Sequence, residues 1–195
     1  MTIPENVYII GRGAHYAKLN GRPLVMKPFA GSELTYWCKL DKGAIYDHKS
    51  NDQYDWNKLP GFTPCTIHHQ EDSCRIGWRW NLEKECIELC PYVYVNGQRL
   101  MLDQHILEVQ PEEWFGIKIE FTDFVWEVKM VKAKKGVESP ISKKDADGKT
   151  LVEVSIPAEG CETAPARLQL NFYFGGNLTA PHPVKMHMRP LTQWN

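Results

Sequence analysis

Hydrophobic and polar residues alternate one by one along much of this chain. Leu168, Leu170, Phe172 and Phe174 alternate with Arg167, Gln169, Asn171 and Tyr173, and Val184, Met186 and Met188 alternate with Lys185, His187 and Arg189. A period of two predicts strands with one buried and one wet face. The same pattern holds for Ile117, Ile119 and Phe121 and for Phe124, Trp126, Val128 and Met130, with Thr122-Asp123 as the turn between them. Shorter strand-like runs lie at Val7–Ile10, Leu24–Met26, Leu34–Leu40 and Leu151–Ile156. Residues 75–102 predict a three-strand meander, with turns at 81–85 and at Asn96-Gly97, a preferred two-residue hairpin turn.

No long stretch carries a helical period. Residues 41–73 hold Asp47, Asp52, Asp55, Pro60, Gly61 and Pro64 and predict loops with short elements. Residues 132–149 are polar and predict an excursion from a sheet edge. About ten strands without a strong helix predict an all-β fold: a two-sheet antiparallel β-sandwich of jelly-roll (concanavalin-like) type, as one domain over residues 1–195. The connector at 175–183 is too long for a tight hairpin. Its Gly175-Gly176-Asn177 step predicts a positive-φ exit from a strand.

Composition narrows the partners. Lys plus Arg total 23 against 24 Asp plus Glu, and the balance holds in each half: 12 basic and 11 acidic groups in residues 1–100, then 11 and 13. Without a basic patch, nucleic acid is not an expected partner. No run approaches the roughly 18 apolar residues of a membrane span, so membrane insertion is not expected either. The N-terminus lacks a basic region followed by an apolar stretch, so the expected setting is a virion or the cytoplasm. Six cysteines (38, 65, 74, 86, 90 and 161) form no CxxC pair. Cys86 and Cys90 fall on one face of a strand, too far apart to be bridged. Free, mostly buried thiols are expected.

Several residues are candidates for chemistry. Asp47, Asp52 and Asp55 crowd one irregular segment, an oxygen-rich arrangement that suits calcium but equally caps loop amides. No cofactor is expected, with calcium as the possible exception. Tyr46 and Trp56 flank these aspartates; His69 and His182 lie in loops that one end of a sandwich could bring to the same place. Trp78 and Trp80 share parity, as do Tyr92 and Tyr94. Together with Arg75 or Arg79 they could form a stacking platform for sugar rings, or they could fill the core. A glycan is therefore a possible ligand through Tyr46, Trp56, Trp78, Arg79, His69 and His182. Glycoside hydrolysis needs two facing carboxylates. Glu83, Glu85 and Glu88 are the only dense glutamates near a strand, and they predict solvated charge.

Arg75-Ile76-Gly77-Trp78-Arg79-Trp80-Asn81, Tyr92-Val93-Tyr94-Val95-Asn96-Gly97 and Tyr173-Phe174-Gly175-Gly176-Asn177 followed by Ala180-Pro181-His182 resemble blocks of small β-sandwich proteins from bacteria and tailed phages. Those proteins are similar to the concanavalin/laminin-G jelly rolls. The resemblance implies a fold and a phage or cell-surface setting, with no catalytic residues to carry over. The expected function is a non-catalytic module held by protein neighbours in an assembly, a virion structural or decoration protein. A lectin-like carbohydrate binder is the alternative, and a glycan-processing hydrolase or lyase the third possibility.

Overall fold

The computed structural model describes residues 5–160 and 167–191; Cys161 and Ala166 lie outside them. The first strands are β1 (Asn6–Ile10), β2 (Ala17–Leu19), β3 (Arg22–Pro23), β4 (Lys27–Pro28), β5 (Glu33–Leu40), β6 (Asn57–Lys58), β7 (Gly61–Phe62) and β8 (Ser73–Asn81). They are followed by β9 (Cys86–Val95), β10 (Gln98–Arg99), β11 (Leu107–Val109), β12 (Phe115–Thr122), β13 (Val125–Ala133), β14 (Ala146–Pro157), β15 (Leu168–Leu170) and β16 (Val184–Pro190). Two sheets result, one in the order β14-β13-β12-β5-β16-β1-β2-β3 and one in the order β10-β9-β8-β7-β15-β4. In the second sheet β11 also pairs with β9, and β6 also pairs with β8. The pairings are antiparallel, and the fold is the expected all-β, two-sheet sandwich of jelly-roll type. Among the described residues, no helix is long and apolar enough to cross a membrane.

Period-two alternation builds the core between the sheets. Tyr36, Cys38 and Leu40 of β5, Ile117 and Ile119 of β12 and Trp126, Val128 and Met130 of β13 face Ile76 and Trp78 of β8 and Leu89 and Val93 of β9. Each large apolar side chain buried in this way contributes about 1.5–3 kcal/mol. The 96–97 turn has positive φ at both residues, as its Asn-Gly pair predicts.

Four local expectations are corrected. Leu24–Met26 is not a strand but a link between β3 and β4, with Val25 and Met26 exposed. Phe124 lies in the β12–β13 turn at positive φ and is exposed, so the apolar phase begins at Trp126. The polar excursion is shorter than expected, because β14 already begins at Ala146. Cys65 is disulfide-bonded, whereas Cys38, Cys74, Cys86 and Cys90 are free and buried.

The two closing strands do not pair with each other. β15 lies between β7 and β4 in one sheet, and β16 between β5 and β1 in the other. The 175–183 connector therefore crosses the sandwich. Gly176 takes a φ of +77° at its start, the positive-φ exit expected there.

Candidate functional site

Strand parity sends two sets of side chains to opposite faces of the second sheet. Cys74, Ile76, Trp78 and Trp80 of β8 point into the core, so Ser73, Arg75, Gly77 and Arg79 point outward. In the register of β8 with β9, Arg75 is opposite Tyr92 and Ser73 is opposite Tyr94. The expected four-ring platform is thus divided: the tryptophans are core and the tyrosines lie on the outer face.

A cavity of about 480 Å³ sits on that outer face. Its floor holds Lys58, Arg75, Tyr92, Tyr94, Asn171 and Tyr173, with His69 at one side and Tyr16, Val25 and Met26 on an exposed apolar rim. Among the described residues, no aspartate or glutamate lines it.

Local backbone contacts fix the two cations. The amides of Lys58 and Tyr173 donate to each other's carbonyls at 2.8 and 2.9 Å, which puts their side chains on one face. The Lys58 ammonium lies 4.9 Å from the centre of the Tyr92 ring and 5.6 Å from that of Tyr173. Tyr173 is itself held by stacking on His15 at 5.4 Å and by the edge of Tyr16 at 5.2 Å. Arg75 lies against Gly61, where a Cβ would come within 2.9 Å of Arg75 Cα and Cγ. Its Nη2 donates to the Asn171 carbonyl at 2.6 Å, and its buried Nε has no hydrogen-bond partner among the described residues.

Burial and charge set the protonation states. Burial lowers Arg75 to about 10, still cationic at neutral pH. It also lowers Lys58 from its ordinary value. Burial raises Tyr92, but the Lys58 ammonium and hydrogen bonding with Tyr94 and Arg99 outweigh it and leave the phenol below its ordinary value. Tyr94 goes the other way, raised to about 12 by burial and by Tyr92. Burial, then Arg75 and Lys58, lower His69 and keep its imidazole neutral.

Of the six candidate ligand-binding residues, the cavity includes only His69. Trp78 is fully buried among Phe172, Phe174 and Tyr46, and the hydroxyl of buried Tyr46 accepts from Asn57 Nδ2 at 2.9 Å. Trp56 is buried under the Arg79 guanidinium at 4.2 Å, and Arg79 donates to Glu88 at 2.8 Å. His182 Nε2 donates to the Gly43 carbonyl at 2.9 Å, outside the cavity lining.

The aspartates do not gather around one point. Asp47 accepts from the Lys49 amide at 2.8 Å, whereas Asp52 accepts from the amides of Asn177 and Leu178 at 3.0 and 2.7 Å and so ties down the connector. Asp55 is raised by burial and by neighbouring Asp52. Among the described residues, no group of three or more His, Cys, Asp or Glu is arranged to hold a metal ion. Glu88 also departs from expectation. It is buried rather than solvated, and Arg79, Asn81 and Lys84 bind it at 2.8, 2.8 and 3.1 Å.

Arg75 and Tyr92 were legible as outward positions on adjacent strands once the phase of Trp78 was known. Lys58 and Tyr173 carry no such signal, because an irregular segment and a strand end bring them together.

No protein-family model matches this sequence, and no curated protein matches it. Solved structures do share its fold. An alginate lyase from Klebsiella pneumoniae superposes with a TM-score of 0.52 at 11% identity, over 80% of this chain and 56% of the lyase. The chain thus spans little more than half of that protein. A xylan β-1,4-xylosidase from Bacillus halodurans gives 0.47 at 12% identity, over 86% of this chain and 29% of that one. A functionally unknown protein from Saccharomyces cerevisiae gives 0.43 at 12% identity, over 92% and 78%. At such identities the likeness establishes a sheet-rich sandwich and nothing finer.

Proposed function

We propose that the outer-face cavity of the second sheet is a carbohydrate-binding site and that the protein works on glycans. One observation carries this reading. The outer face of β8 and β9 has tyrosine rings, an amide and two cations sunk into a concave floor, beside an apolar rim. Ring faces pack against the C–H faces of sugars, while the polar groups between them take hydroxyls. The volume falls within the roughly 300–1,000 Å³ usual for ligand sites. The named lyase and xylosidase are compatible with this reading but do not carry it.

Hydrolysis by a carboxylate pair fits poorly, since no aspartate or glutamate among the described residues lines the cavity. Binding without turnover and cleavage without hydrolysis both fit. A structural role in a virion needs none of this chemistry and predicts no glycan affinity.

The test is calorimetric titration of the full chain with a panel of neutral and acidic oligosaccharides, repeated on Tyr173→Ala. Tyr173 is partly exposed at the cavity, so its removal should leave the fold intact. At least one glycan should bind, and Tyr173→Ala should weaken it about tenfold, corresponding to ~1.4 kcal/mol of lost stacking. Silence across the panel would remove the proposal.

A further inference from the structure

The cavity holds an imbalance that a general sugar site does not require. Arg75 is buried with its Nε unbonded, and half-buried Lys58 faces two tyrosine rings. No acidic side chain among the described residues lines the cavity to neutralise them there; Asp55 acts on Lys58 only from outside that lining. Burying cations without a counter-charge is costly, so this arrangement favours an anionic ligand. A guanidinium and an ammonium side by side suit the two oxygens of a carboxylate.

The tyrosines add a second, independent observation. Tyr92 and Tyr94 follow each other on the outward parity of β9, with ring centres 5.8 Å apart. Their environments push them in opposite directions: Tyr92 faces Lys58 and lies in register with Arg75, whereas Tyr94 is opposite the neutral Ser73 on β8 and Arg99 on β10, whose guanidinium sits over the Tyr92 ring. Two titrating groups separated in this way are fitted to be a base and an acid.

Resting on the carbohydrate reading, we propose that the ligand is a uronate-containing glycan and that the cavity cleaves it by β-elimination. Arg75 and Lys58 hold the sugar carboxylate, Tyr92 is the base and Tyr94 the acid. The carboxylate lies next to C5 of its ring, so drawing off its charge acidifies the C5 proton and stabilises the enolate-like charge that develops. The Tyr92 phenolate takes that proton. The C–H electron pair becomes the C4–C5 π bond, and the bond from C4 to the glycosidic oxygen breaks with its pair on oxygen. The Tyr94 hydroxyl protonates that oxygen. One product has a new reducing end and the other a 4,5-unsaturated uronate. Passing one proton from Tyr92 back to Tyr94 restores the starting state. The step consumes no water, oxidant, reductant or metal.

The experiment incubates the full chain with polymannuronate, polyguluronate, polygalacturonate and a glucuronan, with neutral xylan and mannan as controls. It reads the ultraviolet absorbance of the conjugated double bond and, in parallel, affinity for each polymer. At least one uronate polymer should gain absorbance while the neutral ones stay silent. Tyr92→Phe should lower the rate about 100-fold or more, the scale of a lost general base, while affinity changes less than about threefold. The rate should rise with pH through ionisation of Tyr92, a group faced by Lys58, Arg75, Arg99 and Tyr94. Lys58→Gln, at a less buried position than Arg75, should weaken uronate binding at least tenfold more than it weakens any neutral-sugar binding. Neutral sugars bound as tightly as uronates, or uronates bound with no double bond formed, would overturn this inference and leave the carbohydrate reading standing. No binding to any polymer would remove both.

Discussion

At the scale of single residues, Glu88 shows how a charge on a strand becomes structural. Burial pushes its carboxyl up, but hydrogen bonds from Arg79, Asn81 and Lys84 outweigh that and hold it below its ordinary value of 4.5. A carboxylate lowered in the fold stabilises the protein above its unfolded value and loses that contribution as pH falls through the folded one. Acid denaturation should therefore steepen below about pH 4.5, and Glu88→Gln should flatten that limb. At neutral pH the substitution weakens the bonds from Arg79 and Lys84 and should cost about 1.5–3 kcal/mol in urea unfolding. An unchanged acid limb would deny Glu88 this role. From the sequence Glu88 is expected to be solvated charge, whereas it is buried on the face opposite Ile87 and Leu89. Its burial was not legible, because that depends on Arg79 across the β8–β9 register and Lys84 in the turn.

At the scale of elements, alternation revealed strands but not their partners. The runs around Leu170 and Met186 were legible as strands, and Leu170, Phe172, Phe174, Val184 and Met186 are buried as their phase requires. Their placement in different sheets was not legible, since a period of two is the same whatever strand lies alongside. The connector between them is positioned from a distance by Asp52, whose carboxyl the amides of Asn177 and Leu178 hold below its ordinary value against a desolvation that raises it. Those amides and Gly176 border the strand end that presents Tyr173. Asp52→Ala should lower thermal stability by about 1 kcal/mol, because the group is only partly buried and water replaces part of what is lost. Hydrogen exchange at the Asn177 and Leu178 amides should accelerate, and unchanged exchange would contradict the tether. The aspartate cluster was thus visible in sequence, and its use for capping a distant loop rather than gathering around one point was not.

At the scale of the whole molecule, the sandwich separates its two jobs by sheet face. Inner faces carry the apolar core, and the outer face of the second sheet carries the cavity. Fold class was legible because strand length, turn residues and the missing helical period all agree. The site was only half legible: Tyr92, Tyr94 and Arg75 lie on regular strands, whereas Lys58, Asn171 and Tyr173 come from short, irregular pieces at β6 and beyond β15. Cys65 adds a constraint of setting, since disulfides persist in oxidising compartments and are rare in the cytosol. The central claim is that carbohydrate is held in this cavity and not on the loops around Trp56 and His182. Chemical-shift mapping of the full chain titrated with a uronate oligosaccharide tests it most directly. The account predicts that the perturbed resonances cluster at Lys58, Arg75, Tyr92, Tyr94 and Tyr173. Perturbations confined to the Trp56 and His182 loops, or none at all, would contradict it.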